Sequence, residues 1–303
     1  MTSARFQAQA LALALASSLL AQRPPAPSAA PETLDSSEST SIPGITRVLI
    51  RTEKFVSGSK LWVKNRNGDI RVVGWEKEEM HLTAEIRDTE RRRVELVLQQ
   101  KEGDLDIETV FQQPFWSFNW GLVLSPRCEL TVFVPRRLLG DFRTTNGSIF
   151  ISYIDGYAQC ETTNGDIQVK HFSGEAHIET KNGMIEGLDL QARIQASTTN
   201  GHVILTNVAG GIVAETTNGN IIAKSLNGWG EGISLSTTHG SIDITLGEAA
   251  GEITAESTDG SLDIKIPNAK VIEISKRSAR LRVPGRMQKI GLHTTNGTIT
   301  IRE

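Results

Sequence analysis

Five Asn-Gly pairs, Asn146-Gly147, Asn164-Gly165, Asn182-Gly183, Asn200-Gly201 and Asn218-Gly219, recur at a constant interval of 18 residues. A fixed period of this size restricts the chain to a repeat architecture in which each unit stacks on the next. Counting Asn as position zero, the residues four places earlier are Phe142, Cys160, Ile178, Ala196 and Ala214, and those three places later are Ile149, Ile167, Ile185, Val203 and Ile221. Gly140, Ala158, Ala176, Ile194 and Ile212 occupy the position six before. Apolar residues thus alternate with polar ones on both sides of the turn, which specifies two half-buried strands per repeat. One repeat cannot bury its own apolar stripe; stacking the copies at about 4.8 Å pairs the backbones and makes a continuous core.

The spacing therefore predicts an all-β fold, a single-domain parallel β-solenoid, or β-helix, with about 18 residues per coil. Its corners ask for positive φ, which Gly supplies and Asn tolerates. Stacked copies place Asn over Asn and Thr over Thr, so amides and hydroxyls form ladders along the axis. His239-Gly240 and Asp259-Gly260 read as variant corners, and Asn67-Gly68, Glu102-Gly103, Arg127-Cys128 and Ser278-Ala279 as degenerate ones, extending the solenoid over residues 45–303. The low aromatic content, 5%, beside 27 glycines suits such a thin core.

Ahead of it, residues 1–21 carry an uncharged Ala/Leu stretch, Ala8 to Leu20, after Arg5. This resembles the apolar region of a secretory signal and is too short to span a bilayer comfortably, so export to the periplasm or cell surface is expected, with no transmembrane span in the mature chain. Residues 22–44, with Pro24, Pro25, Pro27 and Pro31, read as a flexible Pro/Ala/Ser-rich linker. A net charge of −3 over 303 residues disfavours nucleic acid as a partner.

The string Asn67-Gly68-Asp69-Ile70-Arg71-Val72-Val73-Gly74-Trp75, the strand end Val132-Phe133-Val134-Pro135 and the Thr-Thr-Asn-Gly series together resemble the bacterial β-strand-repeat family called "putative adhesins". The resemblance covers residues 45–303. It implies an exported or envelope-associated protein and brings no catalytic residues.

Candidate sites are the breaks in the ruler. The interval from Glu102 to Arg127 is 25 residues and contains Phe115, Trp116, Phe118 and Trp120; that from Asn218 to His239 is 21 and contains Trp229. Both surpluses fall about ten residues after their turn, which predicts one shared edge, and insertions in repeat proteins gather on a binding face. Exposed Trp and Phe suit stacking on a glycan or anchoring an envelope protein, whereas the bland alternative has them folded back over the solenoid. Ile204 and Ile222 predict a small apolar strip. Glu161 with Glu179, and Asp243 with Asp263, are expected to stack one coil apart as solvated charge, since neither pair makes the oxygen cage a cation needs.

Lys276, Arg277, Arg280, Arg282, Arg286 and Lys289 are expected to shield the edge of a terminal strand, Thr298 to Arg302, with end-to-end association as an open route. Cys128 and Cys160 are expected to stay unpaired, a coil apart and out of register. Scattered histidines, no convergent carboxylates and no nucleophile motif place enzymatic function, cofactors and metals below the non-enzymatic readings. Those are an adhesin-like binding module for a glycan or protein partner and a structural or regulatory periplasmic envelope protein; a polysaccharide-active β-helix enzyme ranks third.

Overall fold

The computed structural model describes residues 47–88, 94–111, 126–227, 232–285 and 288–303, and among these the chain is all-β without helices. The signal and linker segments, 1–21 and 22–44, lie outside the described residues. One end is built from β1 (Arg47–Lys54), β2 (Lys60–Lys64), β3 (Ile70–Trp75), β4 (Glu79–Arg87), β5 (Val94–Lys101), β6 (Asp104–Phe111) and β7 (Arg127–Pro135). The regular middle comprises β8 (Arg137–Asn146), β9 (Ile149–Ser152), β10 (Asp155–Asn164), β11 (Ile167–Asn182), β12 (Ile185–Asn200), β13 (Val203–Val208), β14 (Ile212–Asn218), β15 (Ile221–Leu226), β16 (Ile233–His239) and β17 (Ile242–Thr245). The other end holds β18 (Gly251–Ser257), β19 (Ser261–Lys265), β20 (Lys270–Ile274), β21 (Ser278–Val283), β22 (Gln288–Asn296) and β23 (Thr298–Arg302).

The strands form two ladders joined at the corners. Before the Asn corner, the order is β5-β6-β2-β8-β10-β11-β12-β14-β16-β22-β18-β21-β20. After it, the order is β1-β4-β7-β3-β9-β11-β12-β13-β15-β17-β23-β19. From β8 to β15 each residue pairs with the one eighteen places on, as Ile167 with Ile185 and Ile178 with Ala196, and the offset into β16 and β17 is 21. The columns aligned in the sequence are the buried ones, and they make a single core running through the stack. The result is a β-solenoid-like fold.

The stack departs from chain order at both ends. The β2/β3 coil lies between the coils of β6/β7 and β8/β9, and the last coil, β22/β23, lies between β16/β17 and β18/β19. Strand β23 is therefore paired on both sides and is not the terminal edge expected for it. Asp243 and Asp263 do not stack on each other either, because Thr300 stands between them. Glu102-Gly103 and Ser278-Ala279 are not coil corners: the first turns the antiparallel β5–β6 hairpin, and Ser278 and Ala279 begin the second strand of the antiparallel β20–β21 hairpin.

The corner glycines answer to close approach more than to φ. Among the corner positions named above, Gly68 and Gly165 have φ of 128° and 157°, while Gly147, Gly183, Gly201 and Gly219 lie outside the left-handed region. A Cβ on any of these last four would stand 1.8–2.1 Å from the carbonyl oxygen of the neighbouring corner glycine. Left-handed backbone belongs instead to the opposite corner, at Tyr153, His171, Asp189, Asn207 and Ser225, with φ between 50° and 60°.

Both expected ladders form. Asn164, Asn182, Asn200 and Asn218 each donate through Nδ2 to the Oδ1 of the preceding Asn at 2.8–2.9 Å. Buried Thr162, Thr180, Thr198 and Thr216 donate to the carbonyls of Gly147, Gly165, Gly183 and Gly201 at 2.9–3.0 Å. A buried hydroxyl with a carbonyl partner satisfies both groups where water cannot reach.

Cys128 and Cys160 are free and buried, as expected. They are three coil steps apart rather than one, because the β2/β3 and β8/β9 coils intervene, a separation of about 14 Å. Burial pushes the Cys128 thiol up to about 12 and raises that of Cys160 too, so neither supplies a thiolate.

His81 on β4 is 3% exposed, with its Nδ1 3.1 Å from the Thr52 hydroxyl. Burial is the main cause of a lowered pKa; Lys77 adds to it and Glu79 opposes it. The unfolded chain then binds more protons as pH falls through the ordinary His value of 6.5, so folding stability drops progressively until the folded pKa is passed. The expected result is a lower Tm at about pH 5.5 than at pH 7.5, with a shallower pH slope in His81→Gln, read by thermal unfolding across that range. Equal slopes would remove His81 as the cause.

Candidate functional site

On the outer side of the first ladder, alternation turns every second residue to solvent. Leu61 and Val63 are buried, so Trp62 between them points outward and is 38% exposed. The flanking strands put Asp106 on one side of it and Asp141 on the other. In the next row Lys64 stands between Glu108 and Arg143.

The charges lock one another. Lys64 Nζ is 2.9 Å from Glu108, and Arg143 meets Asp141 at 2.7 Å and Glu161 at 3.2 Å. The hydrogen bond to Asp141 leads in raising the Arg143 pKa further above its ordinary value. Lys60 Nζ lies 5.8 Å from the centroid of the Trp62 ring. Trp62, Lys64, Asp106, Glu108, Asp141 and Arg143, with Gln99, Lys101 and Asp104, line an open groove of about 550 Å³.

The Trp62 row continues along the axis as Asp141, Gln159, His177 and Gln195. Beyond it, the surface dips where Gly211, Gly232 and Gly291 lack side chains, giving a depression of about 750 Å³ bordered by Glu175, His177, Arg193, Gln195 and Lys289. A smaller hollow of about 120 Å³ lies between Gln159, Glu161, His177 and Glu179, one strand beyond Asp141 and Arg143. Glu161 and Glu179 stack there, as expected. At one strand spacing per step, the track from Trp62 to Gly291 runs about 34 Å.

The opposite corner carries a second side-chain ladder. Tyr153 stacks on His171 with ring centroids 4.7 Å apart, His171 Nδ1 lies 3.4 Å from Asp189, and Asn207 donates to Asp189 at 2.6 Å. These contacts hold consecutive left-handed corners together. Ile204 and Ile222 stack on the outer side of the second ladder, each half-buried.

The aromatic residues expected to form the site, Phe115, Trp116, Phe118, Trp120 and Trp229, lie outside the described residues. The strands that flank them show where the two segments attach. Strand β6 runs toward the Asn corner and β7 starts beside Gly68, whereas β15 ends and β16 begins at the opposite corner. The strand ends that bound the two segments thus lie at opposite corners, not at the one corner that their spacing predicts. The offset arose from reading Glu102-Gly103 as a coil corner. Trp62 sits at no break in the spacing; its signal in the sequence is Leu61-Trp62-Val63, a large aromatic at the outward position of an alternating strand.

Among the described residues no group of three or more His, Cys, Asp or Glu could hold a metal ion, and no helix is long and apolar enough to cross a membrane. No curated protein matches the chain. Two solved structures share low similarity. A "putative cell adhesion protein" from Clostridium sporogenes is 12% identical over 84% of this chain and 99% of its own, with a TM-score of 0.25. A "putative lipid binding protein" from Parabacteroides distasonis is 14% identical over 86% and 98%, with a TM-score of 0.39. The family model described as Toastrack DUF4097 matches residues 58–302, and the chain belongs to that family.

Proposed function

We propose that this Toastrack chain is a non-enzymatic, exported binding module whose single solenoid unit, residues 45–303, takes an extended glycan along the outer face of the first ladder. The observation that carries the reading is Trp62, an exposed indole set between two aspartates at the head of a 34 Å track, a length of about seven strand spacings. An indole face packs against the C–H face of a pyranose, while carboxylates, amides and imidazoles bond its hydroxyls. Acids and bases in the groove nearly balance, which suits a neutral or amino-sugar chain better than a polyanion. Export rests on the Ala8–Leu20 stretch.

A glycan array on the purified chain, followed by titration of its hits, tests this. Trp62→Ala is expected to weaken binding roughly 30-fold, about 2 kcal/mol, with an unchanged circular dichroism spectrum. An array without hits, or hits that bind Trp62→Ala as well as the parent chain, would sink the proposal. The second reading, a structural or regulatory envelope protein, draws on the paired Asn and Thr ladders, which serve the scaffold alone. Cell fractionation that recovers the chain in the periplasm with a protein partner, and no glycan, would favour it.

A further inference from the structure

Among the described residues the first ladder ends on one side at β20, which pairs with β21 and has no strand on its other edge. All five of its residues are exposed, and Val271, Ile272 and Ile274 at 53%, 51% and 59% are the most exposed large apolar side chains of the described residues. Val271 lies opposite buried Leu281, and Ile274 opposite buried Ala279, so both have the inward parity of the core. They are core residues with nothing stacked beyond them. Of the basic cluster expected to shield an edge, Arg280 and Arg282 lie one strand in, on β21 opposite Glu273 and Lys270; Arg280 is also engaged by Glu252, and Arg277 lies 3.8 Å from Asp259.

We propose that β20 is a self-association surface, on which β20 of a second copy of this chain adds antiparallel across a two-fold axis. The strand is self-complementary in charge. The register shifts between Val271 and Glu273, so Ile272 is the extra residue of a bulge, and Lys270 and Glu273 stand two ladder positions apart on the outward face. In an antiparallel two-fold pairing, Val271 faces the partner's Val271 on the core side. Lys270 then faces the partner's Glu273, and Glu273 the partner's Lys270. Two opposite-charge pairs flank one apolar pair, the arrangement that stabilises cross-strand contacts.

The same strand fits the far end of the stack less well. The edge there is β5, whose outward residues are Glu95, Val97, Gln99 and Lys101, and no antiparallel register within that strand satisfies both Lys270 and Glu273. An isologous contact also closes at two copies, whereas end-to-end addition generates filaments. Open backbone donors and acceptors on β20 supply the affinity common to strand addition, and the charges set its register.

Sedimentation equilibrium of the full chain over a dilution series tests the proposal. The parent chain is expected as a monomer–dimer equilibrium. Lys270→Glu or Glu273→Lys alone places like charges opposite each other twice and is expected to raise the dimer dissociation constant about tenfold or more. The double variant Lys270→Glu/Glu273→Lys restores opposite pairs and is expected to return within a few-fold of the parent. Both substituted positions are solvent-facing, so an unchanged circular dichroism spectrum serves as the control for folding. A chain monomeric at every concentration, single reversals that leave dimerisation intact, a double variant as weak as the singles, or assemblies larger than dimers would each overturn it.

Discussion

Replacing Gly183 by Ala is expected to cost about 3 kcal/mol or more of folding stability, although it adds one methyl group at the surface corner of one coil. The added Cβ would stand 2.0 Å from the carbonyl oxygen of Gly165 and 2.5 Å from its carbon. Those atoms are backbone and cannot swing aside, so the coil spacing must open. Opening it strains three hydrogen bonds across that gap at once: Gly165 N–H to the Asn182 carbonyl, the Thr180 hydroxyl to the Gly165 carbonyl, and Asn182 Nδ2 to Asn164 Oδ1, at 3.0, 2.9 and 2.9 Å. Gly291→Ala is the control, since its Cβ meets nothing nearer than the Ile233 carbonyl at 4.0 Å and its φ is unexceptional. Urea unfolding of both variants should show a large loss for the first and nearly none for the second. A mild effect at Gly183 would mean that the corner column tolerates side chains and that Gly recurs there for another reason.

The sequence disclosed what is local to one coil and hid what depends on the order of coils in space. Asn164-Gly165-Asp166-Ile167 announces a corner and the buried residue beyond it, because turn chemistry and alternation act over a few neighbours. A period cannot say which copy stacks on which, so the placement of β2/β3 beside β8, and of β22/β23 beside β16, had no signature in the spacing. Hairpins deceived the template for the same reason: Leu96, Leu98, Leu105 and Ile107 alternate around Glu102-Gly103 as they would around a corner, yet the strands run antiparallel. The opposite corner was illegible because Tyr153, His171, Asp189, Asn207 and Ser225 share a φ, about 55°, and no residue type. At the candidate site, irregular spacing gives no sign of Trp62, because it lies in a regular strand.

The core columns contain a compensation that makes the second large effect testable. Six and four places before the corner, successive coils carry Gly140 with Phe142, Ala158 with Cys160, Ala176 with Ile178, Ile194 with Ala196, and Ile212 with Ala214. In four of these five coils a large residue in one column accompanies a small one in the other, a match that keeps native density; Ala158 with Cys160 and, in the next coil, Ile233 with Leu235 fall outside it. In the first of these coils the Phe142 ring occupies the space beside Gly140, with its Cε2 and Cζ 2.4 Å from where a Cβ would stand. Phe142→Ala empties that space and is expected to cost about 3–5 kcal/mol, while Gly140→Ile alone drives a side chain into the ring. Together the two substitutions reproduce the Ile194/Ala196 arrangement three coils further along. The double variant is therefore expected to be more stable than the sum of the singles predicts, with a coupling of about 1–3 kcal/mol in a double-mutant cycle read by urea unfolding. Strict additivity would show that the two columns are packed independently, and that the matched sizes along the stack do not arise from a shared volume.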